Sequence, residues 1–246
     1  KWSCPAQALV RVKNMINAGV NIIDIGGEST RPGFQAISED EELSRVIPII
    51  KSIRDADLNV PLSIDTTKAA VAAKALEAGV DFVNDISAMI SDTNMVNVVK
   101  INNAPVCLMH SEPITTDSSN LPLYENVLLD VYDFLAERLK DTDLLGIPRS
   151  KIVVDPGIGF GKTMEHNLSL LNGLSLFHSL GCTVLLGASR KRFIGTITGE
   201  AEPKKRLAGS IAVSLEGLRQ GVQILRVHDI VGNYQATKMW KAMNCD

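Results

Sequence analysis

The sequence predicts a parallel α/β fold and, within that class, a (β/α)₈ TIM barrel. Three observations carry the reading: short β-branched runs alternate with helical patterns along the whole chain, glycines stand just ahead of several runs, and the 246-residue length suits one barrel of about 250 residues. The chain opens on a helix, where Leu9, Val12, Met15 and Ile16 recur at helical spacing. Strands follow at residues 21–25, 61–65, 81–85, 105–109, 151–155, 183–187 and 224–227, each trailed by a helical pattern. Leu43, Val46, Ile47, Ile50 and Ile53 make one apolar stripe, Val71, Ala75 and Ala78 a second, and Leu128, Val131, Leu135 and Leu139 a third. Gly19, Gly79, Gly181 and Gly221 sit two or three residues before strands, where a helix-ending glycine belongs. The count is seven strands, so a closed barrel requires an eighth ahead of Lys1. Either the architecture is open, or the first strand and its loop are missing from this sequence; the second is the expectation. With no composition shift or linker, residues 1–246 read as a single domain.

Composition excludes several classes of function. With 45% hydrophobic and 22% charged residues, the chain is neither disordered nor collagen-like. No apolar run approaches the roughly 18–20 residues of a bilayer crossing. A net charge of −3 supplies no basic field for nucleic acid, and no basic run exceeds Arg190-Lys191-Arg192. Cys4, Cys107, Cys182 and Cys245 are far apart and no histidine stands at metal-ligand spacing, which predicts neither a disulfide framework nor a zinc site and suits a reducing cytoplasm. Aromatic residues make up only 4%, so the core must come from Val, Ile, Leu and Ala, as in buried parallel strands.

Polar groups mark the strand ends: Asp24-Ile25-Gly26-Gly27, Asp65-Thr66, Asn84-Asp85, Met109-His110, Asp155-Pro156-Gly157, Ser189-Arg190-Lys191 and Arg226-Val227-His228-Asp229. In a parallel βα fold these ends share the face where ligands and catalytic groups collect. Helix capping would account for Asp and Asn singly. It leaves Lys191, Arg226 and His228 unexplained, so the set predicts a ligand site.

The loop Gly157-Ile158-Gly159-Phe160-Gly161-Lys162-Thr163 resembles a phosphate loop but is not one. Pro156 occupies the position of the first P-loop glycine, and Lys162 stands where the dinucleotide fingerprint needs its last glycine. The loop Gly26-Gly27-Glu28-Ser29-Thr30-Arg31-Pro32-Gly33 joins permissive backbone to hydroxyls and a guanidinium, the composition of a lid over an anion. His166 and His178 lie on helical segments, away from strand ends. His110 reads either as a site residue or as a hydrogen-bonded residue beneath the next loop. His228, two residues after Arg226 on a strand, would share its face and its preference for an anionic partner.

In order along residues 5–241, the motifs Ile-Asp-Ile-Gly-Gly-Glu-Ser-Thr-Arg-Pro-Gly, Ser-Ile-Asp-Thr, Val-Asn-Asp-Ile, Asp-Pro-Gly-Ile-Gly-Phe-Gly-Lys, Gly-Ala-Ser-Arg-Lys and Arg-Val-His-Asp resemble those of the dihydropteroate synthases of the pterin-binding family. The resemblance implies a TIM barrel that uses Mg²⁺ to join 6-hydroxymethyl-7,8-dihydropterin diphosphate to p-aminobenzoate through a carbocation-like transition state. It assigns catalysis to Asp65, Asp155, Lys191, Arg226 and His228. The pterin diphosphate falls to Thr30, Asp65, Asn84, Met109, Asp155, Phe160, Lys191, Arg226 and His228, and p-aminobenzoate to Thr30, Arg31, Pro32, Lys191 and Arg192. The pterin edge carries several N–H donors beside one oxo acceptor, which independently suits carboxylates, an amide and one cation.

Two departures stand out. The family's Asn-x-Thr-Pro-Asp-Ser-Phe-Ser segment, whose asparagine helps hold Mg²⁺, has no counterpart here, so the metal ligands are unassigned. Arg192 replaces the serine many members carry after Ser-Arg-Lys. A homodimer is implied, with the apolar stretches 127–139 and 207–218 as interface candidates. A pterin-dependent methyltransferase would not need the Arg226–His228 pair or the Ser-Thr-Arg-Pro-Gly loop; a non-catalytic pterin-binding protein is the other alternative.

Overall fold

The computed structural model describes residues 4–29, 35–112 and 123–244. The strands are parallel and their order is chain order: β1 (Ile23–Gly26), β2 (Leu62–Asp65), β3 (Phe82–Asp85), β4 (Val106–Met109), β5 (Ile152–Asp155), β6 (Thr183–Leu186) and β7 (Ile224–Leu225). The chain divides into two compact units, Lys1–Leu108 with Thr142–Ile152, and Met109–Asp141 with Val153–Asp246.

In the first unit, α1 (Pro5–Asn17) starts with proline at its first turn, where no N–H is needed. Helices α2 (Glu39–Asp55), α3 (Ala69–Glu77) and α4 (Met95–Ile101) follow strands β1, β2 and β3. The Ser38 side chain caps α2 by accepting the Glu41 N–H at 3.2 Å, and four acidic residues in the first turn complement the helix dipole. In α2, Val46, Ile50 and Ile53 are buried, as the periodicity predicts, but so is Glu42. Register places Gly26 beside Asp65, Asp65 beside Asn84 and Asn84 beside Cys107, so three polar or glycine strand ends form one row. Leu62, Ile64 and Val83 are fully buried, each contributing about 1.5–3 kcal/mol.

The second unit carries nearly all of α5 (Val127–Leu144), with α6 (Met164–Asn172), α7 (Arg192–Thr198), α8 (Leu207–Arg219) and α9 (Ile230–Asn244). Val131, Leu135 and Leu139 of α5 are fully buried. Its apolar stripe is therefore core rather than interface. By contrast Leu207 on α8 and Val231, Tyr234, Met239 and Met243 on α9 are exposed. Residues 174–180 form a 3₁₀ helix that carries His178, which bonds the Gln220 carbonyl at 2.9 Å. Among the described residues no helix is long and apolar enough to cross a membrane.

The starts of β2 and β4 lie one residue later than expected for a physical reason. Pro61 and Pro105 have no N–H to give a ladder, yet their carbonyls accept from Ile23 and Val83 at 2.9 Å, so each proline sits at the lip of its strand. Strand β7 is shorter than expected and ends at Leu225. The alternation argument for Arg226 and His228 therefore does not hold, because both lie beyond the strand.

Candidate active site

In the first unit the polar strand ends are fixed by one another. Asn84 is buried, and its amide donates to Asp24 Oδ2 over a long 3.5 Å. Asp65 is half-buried, and Gly26 lies against it, where a Cβ would approach the Asp65 Cβ to 3.3 Å. Asp85 serves the backbone instead. It accepts from the Ser87 N–H and hydroxyl at 2.8 and 2.7 Å and from the Met89 N–H at 3.0 Å, pinning a turn in which Ala88 and Met89 have positive φ. Burial pushes its carboxyl up, with the Ser87 and Met89 bonds opposing. The first N–H of α3 is met by Asp92, at 2.8 Å.

The loop after β1 is tied down at both described edges. Lys68 bridges Glu28 at 2.7 Å and buried Glu42 at 2.6 Å, while Glu28 also accepts the Ile37 N–H at 3.1 Å. Burial works against the Lys68 charge, but the bonds to Glu28 and Glu42 outweigh it and raise its pKa. For Glu28 burial again resists charge, yet Lys68 and the Ile37 N–H hold its carboxyl below the usual range. Thr30, Arg31 and Pro32, expected to meet p-aminobenzoate, lie outside the described residues.

The second unit gathers charge around Asp155. This carboxylate is buried at the end of β5 and accepts the Gly157 N–H at 2.8 Å. Burial pushes its pKa up, opposed first by that N–H and then by Lys191, Arg226 and Lys162. Gly187 stands beside both groups: a Cβ there would lie 3.6 Å from Asp155 Oδ2 and 3.9 Å from Arg226 Cβ. The Lys191 ammonium sits 3.9 Å from the centre of the Phe160 ring, a cation–π contact that also positions the lysine stem against Gly159. Met109 is buried at the end of β4, while Arg192 is exposed as the first residue of α7.

The glycines after Asp155 are explained by close approach. A Cβ on Gly157 would come within 1.8 Å of the His110 carbonyl, one on Gly159 within 3.0 Å of Lys191, and one on Gly161 within 2.6 Å of Glu112. All three have positive φ. The loop is thus a packed wall of the site rather than a phosphate cradle. Its Lys162 turns inward, 2.9 Å from His110 Nδ1.

A third cluster orders the basic end of the unit. The Ser189 hydroxyl lies 3.2 Å from both the backbone nitrogen and Nδ1 of His228. Arg190, at φ +60°, forms a bidentate pair with Asp229 through Nε at 2.8 Å and its terminal nitrogen. Arg190 also has its backbone N–H held by the Ser210 hydroxyl at 2.9 Å. Ser-Arg of the Gly-Ala-Ser-Arg-Lys motif therefore buttresses His-Asp of the last.

The structure brings Asp155, Phe160, Lys191 and Arg226 together, places Asp65 and Asn84 on adjacent strands of the first unit, and fastens His228 to Ser189. Sequence reasoning marks Asp24 as a strand-end carboxylate and Lys162 as the lysine ending a glycine-spaced run but gives neither a role, and it misses the Glu28–Lys68–Glu42 network, which leaves no local signal.

The sequence pattern of the family described as "Pterin binding enzyme" matches residues 3–228. The chain is 43% identical over 243 residues to the dihydropteroate synthase of Bacillus subtilis, covering 99% of this chain and 82% of that one. It is 42% identical to the Clostridium beijerinckii enzyme of the same name, covering 94% and 83%. Among solved structures, Xanthomonas albilineans dihydropteroate synthase with 4-aminobenzoic acid superposes with a TM-score of 0.91 at 38% identity, covering 98% of this chain and 86% of that one. The same organism's enzyme in complex with 7,8-dihydropteroate gives 0.88 at 35% identity, with the same coverage. A site with these motifs in this order, on this fold and at these identities, leaves one conclusion: the chain belongs to the dihydropteroate synthases, folate-pathway transferases among the pterin-binding enzymes.

Proposed function

We propose that Asp155, Lys191, Phe160 and Arg226 form the part of the second unit that binds and ionises the pterin diphosphate in the condensation with p-aminobenzoate. The observation that carries this reading is the buried Asp155 carboxylate with Lys191 and Arg226 among its neighbours and Phe160 under the lysine. An ionised carboxylate only accepts hydrogen bonds, so Asp155 suits the N–H edge of a pterin, and Lys191 suits its oxo group. Asp65 and Asn84 join the proposal on the same chemistry, and Met109 as an apolar flank.

The C–O bond to diphosphate breaks with its electron pair leaving on oxygen, and the pterin methylene becomes cationic. Buried carboxylates already in place lower the energy of that charge without reorganising. The arylamine lone pair then closes the C–N bond, and the nitrogen sheds its proton. Arg226 and His228 offset the departing negative charge, with Ser189 fixing the histidine. Thr30, Arg31 and Pro32 are assigned to the p-aminobenzoate side with Lys191 and Arg192.

Mg²⁺ belongs to the proposal as a partner of the diphosphate, since it takes phosphate oxygens and keeps several waters. Among the described residues no group of three or more His, Cys, Asp or Glu gathers to cage a metal, so no step is assigned to it. The full (β/α)₈ barrel, a cytoplasmic location and a homodimer through the exposed face of α8 and α9 are proposed alongside.

The test is direct. Protein supplied with both substrates and Mg²⁺ should release dihydropteroate; folded protein that yields none overturns the assignment. Asp155→Ala should lose pterin affinity, while Arg31→Ala should mainly raise the KM for p-aminobenzoate. Calorimetry with unchanged pterin affinity in Asp155→Ala would reject that division.

A further inference from the structure

The reaction as assigned makes no use of Lys162, yet this is a half-buried amine at the back of the site. Its Nζ lies 2.9 Å from His110 Nδ1, 3.0 Å from the Phe160 carbonyl and 3.5 Å from the His110 carbonyl. The three N–H bonds of an ammonium thus meet three acceptors. Because the ammonium can only donate, Nδ1 of His110 accepts and the ring proton resides on Nε2. The ring is also wedged edge-on against Phe134, with centroids 4.8 Å apart.

Backbone contacts close the circuit. The His110 N–H donates to the Asp155 carbonyl at 3.0 Å, and Gly157 stands against the His110 carbonyl where no Cβ could fit. From Asp155 the chain runs through six residues of loop back to Lys162. We propose that Lys162 is a positioning residue for Asp155: its ammonium ties the loop after β5 to the end of β4 and adds a positive charge to the surroundings of the carboxylate that accepts pterin N–H donors. The inference rests on the reading of Asp155 as a pterin ligand.

The charges facing Lys162 set the sign. Burial pulls its pKa down to about 7, with Asp155 and Glu112 opposing and Lys191 adding to the fall. His110 is pushed down to about 3 by burial and then by Lys162, so between those two values the pair carries one positive charge, on the lysine, which it gives up as pH rises through about 7. Tyr124, whose hydroxyl reaches the Gly161 carbonyl at 3.4 Å, is held up at about 12 and stays neutral. Removing Lys162 takes away one of the three cations that oppose burial at Asp155. The carboxylate then protonates at higher pH.

The experiment is a calorimetric titration with 6-hydroxymethylpterin, a probe without diphosphate, on wild type, Lys162→Met, Lys162→Arg and Asp155→Asn from about pH 5.5 to about pH 8. Lys162→Met should lose affinity relative to wild type progressively toward the acid end, and should approach wild type at the alkaline end. Lys162→Arg should keep the wild-type acid limb. An equal loss at every pH, or none, overturns the inference, since a purely structural role predicts parallel curves. Asp155→Asn separates the two failures: unchanged affinity there removes the pterin reading itself, whereas lost affinity beside parallel Lys162 curves removes only the role of Lys162. Should Lys162→Met not fold, NMR of wild type labelled at lysine Cε decides. One lysine titrating near neutrality and shifting with pterin supports the proposal, and lysines all in the ordinary range refute it.

Discussion

Replacing Gly157 by alanine probes the junction on which the pterin half-site rests. Two costs combine there. At φ +70° an L-residue costs about 1–2 kcal/mol, and the new Cβ would stand 1.8 Å from the His110 carbonyl, a backbone atom that cannot swing aside. Overpacking of that kind adds about 1–3 kcal/mol, so the total is about 2–5 kcal/mol. Gly199 isolates the first cost, having φ +73° and no atom within 4 Å of an added Cβ. Urea unfolding of both variants against wild type should show Gly199→Ala losing about 1–2 kcal/mol and Gly157→Ala losing clearly more. The second variant should also raise the KM for the pterin substrate, because the Gly157 N–H that holds Asp155 moves with the backbone. Equal destabilisation of the two variants would refute the argument that close approach to His110 dictates glycine at this position.

Three further outcomes follow from the geometry. Lys191→Met removes the cation over Phe160 and beside Asp155, and kcat/KM for the pterin substrate should fall about 10²–10³-fold in steady-state assays; a change within twofold or so would exclude a catalytic role. Ser189→Ala frees His228 from its hydroxyl partner, so activity should drop about tenfold while chemical unfolding shifts by only about 0.5–1.5 kcal/mol, and a larger stability loss than activity loss would make the serine structural. His110 has a folded-state pKa of about 3, below its unfolded value of 6.5, so the unfolded chain takes up the proton first on acidification. Its contribution to stability is full above 6.5 and is lost as pH falls toward 3, at up to about 1.4 kcal/mol per unit, and His110→Asn should flatten that slope in pH-dependent unfolding curves.

Much of the site was legible because parallel strands end where ligands bind. Asp65, Asn84, Asp155 and Lys191 could each be located from a β-branched run followed by a polar residue, and their types narrowed the chemistry. What stayed hidden depends on partners remote in sequence. Lys68 meets Glu28 forty residues away and Lys162 meets His110 fifty-two residues away, and neither spacing has any local periodicity. The expected sharing of a face by Arg226 and His228 relied on a strand that stops at Leu225. Residues 127–139 looked equally suited to core and interface, since an apolar stripe does not say what covers it; burial of Val131, Leu135 and Leu139 settled that.

By itself the sequence determined the alternation of strands and helices, because side-chain periodicity is a local property of the backbone. It also determined the family, because chemistry-bearing motifs occur in a fixed order. The tertiary structure alone decided which polar groups serve the fold and which are left for a ligand. Asp85 and Asp155 close strands β3 and β5 and Asp229 follows β7; the first is spent on the Ser87–Met89 turn and Asp229 on Arg190, while Asp155 is buried among cations. Residue type is the same in all three cases, and only the neighbours that folding delivers, with the solvent they exclude, set what a carboxylate does.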